Sequence, residues 1–237
     1  MKQAREKQAD WAAYMQSMAS QARHPALKRF YQADWPGADT PLEDIEFMAL
    51  DVETTGLDVK THAIVSIGLI PLTLARIRSD LAWHQVIRPR GDLVPESVTF
   101  HHITHTDVLQ APRFDEILEV FLDKLAGKIA VVHFRPIERA FLDKAVRQCL
   151  GEGLQFPLLD TMQIEADLHP RRKPAWLLRL FGKQPLSIRL ADSRSRYNLP
   201  AYMAHHALTD ALATAELLQA QVATHFSPQQ PVGTLWL

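Results

Sequence analysis

Cysteine is nearly absent from this sequence: Cys149 is the only one in 237 residues, so no disulfide can form within the chain. It lies in an apolar-periodic segment, where a small buried thiol is the ordinary reading, and the expected compartment is a reducing, cytoplasmic one. Long hydrophobic runs are missing too. The longest, Ile64 to Ala75, is interrupted by Ser66, Gly68, Pro71 and Thr73. It falls well short of the roughly 20 residues that span a bilayer, so it predicts a buried strand and no membrane contact. The opening MKQAREKQADWAAY mixes charges of both signs, has no apolar stretch ahead of a small-residue cleavage site, and carries Glu6 and Asp10. It reads as neither a secretory signal nor a mitochondrial transit peptide. An excess of one charge is lacking as well: a net charge of −1 gives no global attraction to phosphate and argues against a protein that coats nucleic acid by charge alone.

What is present is apolar residue in quantity. At 47% hydrophobic against 22% charged, the chain can bury a full core, which excludes disorder of the whole and predicts one globular domain with an appendage. Trp11, Tyr14, Met15 and Met18 fall on one stripe of a helix. That stripe suits packing against the main domain, against a second copy of the chain as a homodimer, or against a protein partner. Pro36, Gly37 and Pro41 then read as a linker, so residues 1–44 are expected to form a helical extension, 45–226 the main domain and 227–237 an irregular tail broken by Pro228 and Pro231.

Within the main domain, alternation and short polar turns predict three successive strands, Glu46 to Val52, Ala63 to Leu74 and Leu81 to Ile87. Helical spacing follows over Asp115 to Leu125, a short apolar strand over Ile129 to His133, and a helix over Ile137 to Leu150. Leu158 to Asp160 reads as a last strand, and Leu208 to Thr224 as the last helix. This is an α/β pattern, a mixed sheet flanked by helices. A basic segment, Arg171 to Arg196, sets Arg171, Arg172, Lys173, Arg179, Lys183, Arg189, Arg194 and Arg196 against the single acid Asp192; it is either a local phosphate-binding patch or a solvated helical face.

Asp51-Val52-Glu53 carries the most chemical information. Side chains two apart on a strand share a face, so two carboxylates converge at a strand end and repel unless water or a cation compensates. Hard, oxygen-seeking Mg²⁺ or Mn²⁺ is the natural cation. In the next residues, Thr54-Thr55-Gly56-Leu57-Asp58, Gly56 permits a sharp turn that gathers backbone N–H groups and hydroxyls beside the acids.

These residues resemble the first motif, Asp-x-Glu-Thr-x-Gly, of the DEDD superfamily of 3'-5' exonucleases, in its subgroup with a catalytic histidine (DEDDh). The resemblance extends to Pro95-Glu96 and Phe100-His101-His102-Ile103-Thr104, with His102 in place of the usual glycine, and to His205-x-Ala207-Leu208-x-Asp210-Ala211. It also includes Leu159-Asp160-Thr161, and it runs from about Phe47 to Gln221. The second motif departs: where the family has His-Asn-x-x-Phe-Asp, this chain has His133-Phe134-Arg135-Pro136-Ile137-Glu138, so the acid is a glutamate and the asparagine is gone.

The resemblance implies a ribonuclease H-like fold and two divalent cations, Mg²⁺ or Mn²⁺, held by Asp51, Glu53, Glu138 and Asp210, with His205 as general base. Thr54, Thr55, Glu96 and His101 would contact the substrate, a single-stranded or frayed nucleic acid with a free 3' end, and the products would be nucleoside 5'-monophosphates. DNA or RNA, and proofreading, repair or RNA turnover, are all compatible with it. Geometry favours His205 over His206, since a histidine five positions before Asp210 cannot share its face of one continuous helix and must sit in the loop leading into it. Glu138 has an alternative role, complementing the helix N-terminus after Pro136. Two other functions compete: a catalytically weak module that binds nucleic-acid ends or a protein partner, motivated by Glu138, and a zinc hydrolase built on His101, His102 and His105.

Overall fold

The computed structural model describes residues 10–89, 103–170 and 186–237. Five strands, β1 (Phe47–Thr54), β2 (Ile64–Leu72), β3 (Trp83–Val86), β4 (Ile129–Val132) and β5 (Leu158–Asp160), make one sheet in the order β3-β2-β1-β4-β5. The first three pair antiparallel, as a meander joined by short turns must, while β4 and β5 run parallel to β1. Each parallel step needs a helical crossover. Helices α3 (His105–Gln110) and α4 (Phe114–Leu125) precede β4, and α5 (Pro136–Leu150) joins β4 to β5. Burial of β1 is nearly continuous, on both faces of its alternation, because helices cover the sheet on both sides. The last long helix, α8 (Ala207–His225), packs on β1 and β2.

Local chemistry explains the ends of these elements. Pro136 stands in the first turn of α5, where its missing N–H costs nothing, and Gly151 ends that helix in the left-handed region at φ 70°. Thr104 and Asp107 form a capping box on α3. Among the described residues, no helix is long and apolar enough to cross a membrane.

The N-terminal segment joins the same core. Asp10 caps α1 (Trp11–Gln21), accepting from Ala13 N at 3.0 Å. A second helix, α2 (Pro25–Tyr31), has Pro25 at its start. Trp11 and Met15 are buried, Tyr14 and Met18 pack beside them, and the Arg139 guanidinium lies 5.4 Å from the Trp11 ring centroid. Burial of each such side chain is worth about 1.5–3 kcal/mol, so the stripe of α1 is held by its own chain; it is not a face left open for a second copy.

The residues expected to be a linker and an irregular tail pair with each other. Leu42 N donates to Gln230 O at 3.0 Å, Val232 N to Thr40 O at 2.9 Å and Gly233 N to Ala38 O at 2.9 Å. Val232–Thr234 is a short 3-10 turn, Val232 and Trp236 are buried, and Leu237 N donates to Leu158 O of β5 at 2.9 Å. The prolines stop a helix there, but the apolar side chains between them have core partners, and that decides the structure.

Candidate active site

Strand β1 delivers Asp51 and Glu53 to one face, opposite Gly68 and Ser66 of β2. The same face receives the start of α8, because Gly68 leaves no side chain in the way: a Cβ there would sit 2.4 Å from the Ala207 carbonyl carbon. Asp210, in the first turn of α8, thereby meets the β1 acids, and one carboxylate oxygen from each of Asp51, Glu53 and Asp210 lies within 4.8 Å of the others. Crowding of like charge has the expected consequence. Burial first, then the charges of Glu53 and Asp210, push the Asp51 carboxyl well above the usual carboxylate range. Burial, opposed by the His205 N–H and reinforced by Glu53, raises Asp210.

His205 lies just outside α8, exposed, at φ 70°. Its backbone N–H donates to Asp210 Oδ2 at 2.8 Å, which ties the loop to the acid it precedes. His206 is the residue that caps the helix.

Glu138 is in the first turn of α5, 2% exposed. Burial, then the charge of Asp51, raises its carboxyl well above the usual range, with only its own backbone N–H opposing. Its Oε2 has no hydrogen-bond partner. Glu138 is outside the group of three carboxylates defined by the 4.8 Å spacing, yet it is an orphaned acceptor within electrostatic reach of Asp51. A set of carboxylate oxygens with one unsatisfied buried member fits a hard divalent cation.

The turn between β4 and α5 is clamped from β5. Asp160 accepts from Phe134 N and Arg135 N, each at 3.0 Å, and also from Met162 N at 3.0 Å and Gln163 N at 3.3 Å, capping α6 (Thr161–Leu168). This gives Leu159-Asp160-Thr161 a physical role that spacing alone did not reveal. Phe134 takes φ 92°, outside the ordinary range for a non-glycine residue, and its ring is 45% exposed. His133 is enclosed between Thr161 Oγ1 (2.8 Å) and Ile188 O (3.2 Å). Burial lowers its pKa to about 4, so it is a neutral packing residue at physiological pH.

Other expected residues fall differently. Thr54 Oγ1 donates to Gly56 O at 2.8 Å and Thr55 Oγ1 accepts from Ala63 N at 3.1 Å, so both hydroxyls build the turn after β1. Lys144 of α5 secures the same loop through Val59 O (2.6 Å) and His62 O (2.8 Å). Glu96 and His101 lie outside the described residues, as does His102. His105 begins α3, and among the described residues the group able to hold a metal is the carboxylate trio, with no histidine set.

The basic segment divides. Residues 171–185 lie outside the described residues, whereas Arg194 is 3% exposed and donates to Ala213 O (2.6 Å), Pro200 O (2.8 Å) and Glu216 Oε2 (2.7 Å). Arg196 pairs with Glu165, which also accepts from Tyr197 Oη and Gln221 Nε2, each at 2.8 Å. Burial alone would raise Glu165, but the hydrogen bonds from Gln221, Arg196 and Tyr197 prevail and hold it below the usual range. These two arginines of α7 (Leu190–Arg196) bind that helix to α6 and α8. They do not contribute to a phosphate-binding patch, because their charge is already neutralised inside the fold.

The family model described as Exonuclease (RNase_T) matches residues 48–218. The DNA polymerase III subunit epsilon of Treponema pallidum (strain Nichols) is 27% identical over 183 residues, covering 77% of this chain and 79% of that protein. The DNA polymerase III PolC-type of Thermotoga petrophila is 26% identical over 179 residues, which are 76% of this chain but only 12% of that much longer protein. The structure of the nuclease domain of 3'hExo, a DEDDh family member, bound to rAMP, superposes with a TM-score of 0.61 at 14% identity, covering 76% of this chain and 92% of that one. At such identity the likeness concerns the fold, and it is the ribonuclease H-like mixed sheet flanked by helices that the motifs implied.

Proposed function

This chain belongs to the exonuclease family of the DEDD superfamily, and from that premise we propose that it is a metal-dependent 3'-5' exonuclease, hydrolysing terminal phosphodiester bonds of DNA or RNA to nucleoside 5'-monophosphates. The observation that carries the proposal is the carboxylate trio of Asp51, Glu53 and Asp210, with His205 in the adjoining loop and tied to Asp210. The family implies divalent metal use, and in this reading Asp51, Glu53, Asp210 and Glu138 hold Mg²⁺ or Mn²⁺. Such cations supply Lewis acidity, acidifying an attacking water and stabilising the departing 3'-oxygen.

The chain's own groups do the rest. Exposed on its loop, His205 accepts the proton of the attacking water and must be neutral to do so. Its backbone N–H keeps one Asp210 oxygen oriented, leaving the other to ligate. The turn built by Thr54 and Thr55 presents backbone groups to the strand end, and Glu96 and His101 grip the terminal nucleotide.

The test is digestion of 5'-end-labelled DNA and RNA oligonucleotides of matched sequence with Mg²⁺, Mn²⁺ or EDTA. A ladder shortening by single nucleotides from the 3' end, abolished by EDTA, is expected. Full-length product under every condition, with the oligonucleotide still bound, would replace this proposal with that of an end-binding module.

Glu138 is the position where the chain leaves its family's pattern. Glu138→Gln is expected to lower kcat by about 10²-fold, because an amide is a weaker ligand for a hard cation and a misplaced group costs on that order. Glu138→Asp is expected to fall comparably, its oxygen withdrawn by about a C–C bond, with partial recovery in excess Mn²⁺. If the carboxylate only complements the start of α5, both variants keep wild-type kcat across a metal titration and change only in melting temperature.

A further inference from the structure

In register across the sheet, Asp51 of β1 stands opposite Gly68 of β2, and Gly68 stands opposite His84 of β3. Directly opposed residues point to the same face, so His84 shares the face of the carboxylates, two strands away. The neighbouring row is Glu53, Ser66 and Val86. Ser66 is fully buried, and its Oγ is hydrogen-bonded to His84 Nε2 at 2.7 Å, which fixes the imidazole on the sheet. The ring of His206 lies over that of His84, with centroids 4.7 Å apart and planes 30° from parallel. Neither His84 nor its contact with His206 takes part in the chemistry proposed above.

The start of α8 is thus held at two points. Gly68 is the floor on which the Ala207–Leu208 backbone rests, a Cβ there falling 2.4 to 2.6 Å from its atoms. A floor fixes the height of the helix but not its rotation or its sliding along the sheet. The second point, His84 on His206, supplies that lateral constraint. His206 O accepts from Asp210 N at 2.9 Å, and His205 N donates to Asp210 Oδ2, so movement of His206 carries both the acid and the base with it.

We infer that His84 is a positioning residue: anchored by Ser66 and stacked on His206, it sets where the loop and first turn that bear His205 and Asp210 stand over Asp51 and Glu53. This rests on the exonuclease proposal for its kinetic consequence, but its structural consequence can be measured without turnover, as affinity for Mn²⁺ alone.

The test uses the full chain with His84→Ala, His84→Phe, His206→Ala and the His84→Ala/His206→Ala double variant. Turnover of a 5'-labelled oligothymidylate and Mn²⁺ binding by calorimetry without substrate are both read. Groups that orient metal ligands typically matter by 10- to 100-fold, so His84→Ala and His206→Ala are each expected to lower kcat and Mn²⁺ affinity by about tenfold. KM for the oligonucleotide should hold. His84→Phe restores a flat ring against His206 without the anchor to Ser66 and is expected to recover part of the loss, which a general loss of stability would not allow. Because both single variants break the same contact, the double variant should be little worse than either, about tenfold and not hundredfold. Multiplicative losses in the double variant, failure of His84→Phe to recover Mn²⁺ binding, or unchanged kcat and Mn²⁺ affinity in His84→Ala would each overturn the inference. Should His84→Ala not fold, His206→Ala and His84→Phe decide it. A wild-type chain inert on matched DNA and RNA oligonucleotides alike would sink the exonuclease proposal, while the Mn²⁺ titrations would still decide the role of His84.

Discussion

Asp51→Asn is expected to reduce turnover by on the order of 10³-fold or more, since metal charge stabilisation is worth several kcal/mol in the transition state, and at the same time to make the metal-free protein more stable. Asp210→Asn should behave alike. The two effects have one cause. Asp51 is pushed well above the usual carboxylate range by burial and by Glu53 and Asp210, so its ionised form is disfavoured in the folded chain relative to the unfolded one. A carboxyl whose folded pKa is raised contributes stability that is fully present below the unfolded value, near 4, and is lost as pH rises through the folded pKa. In EDTA, therefore, the melting-temperature advantage of Asp51→Asn over wild type should be larger at pH 8 than at pH 5. Comparison with the variant at each pH cancels groups such as Glu165, which are shifted the other way. Mn²⁺ should reverse the order at pH 8, because the wild type gains binding free energy that the variant cannot. Near wild-type turnover by Asp51→Asn in saturating Mn²⁺ would remove Asp51 from the catalytic centre.

The carboxylates illustrate which parts of such a molecule are legible in sequence. Strand periodicity put Asp51 and Glu53 on one face, and they are on one face of β1. The run Leu158 to Asp160 was short, apolar and bounded, and it is β5. An uninterrupted helical pattern placed α8 to within a residue at each end, Leu208 to Thr224 expected and Ala207–His225 observed. Each of these signals lies in neighbouring residues. What escaped depends on partners far away in the chain. Arg194 and Arg196 read equally as phosphate ligands or as a solvated face because composition does not disclose Glu216 or Glu165, 22 and 31 residues away. No sequence signal marked α2, which Pro25 opens and whose Phe30 and Tyr31 are buried. Thr54 and Thr55 stood beside the acids in sequence, but their hydroxyls close the turn. His84 carried no motif at all: its contact with Ser66 comes from the pairing of β2 with β3, and its contact with His206 from the packing of α8 on that sheet, which only the assembled fold reveals.

Position relative to the start of α8 separates the two adjacent histidines. His205→Ala is expected to lower kcat by about 10³-fold, within the 10²- to 10⁴-fold that removal of a general base usually costs. His206→Ala should lose only the roughly tenfold attributable to its stack on His84. The structural difference is plain: His205 stands exposed before α8 at φ 70°, while His206 is half-buried at the helix start with its ring against His84. A positive φ favours residues such as asparagine over β-branched ones, so His205→Asn is the variant that alters the base with least disturbance of the loop. Its backbone N–H can still reach Asp210 Oδ2. Because the lost group is the proton acceptor and not a ligand, Mn²⁺ affinity measured without substrate should stay near wild type in His205→Asn, whereas it falls in Asp210→Asn. Were His205→Ala and His206→Ala to lose equal activity, the proton would be leaving through another group and His205 would be reduced to a tether for Asp210.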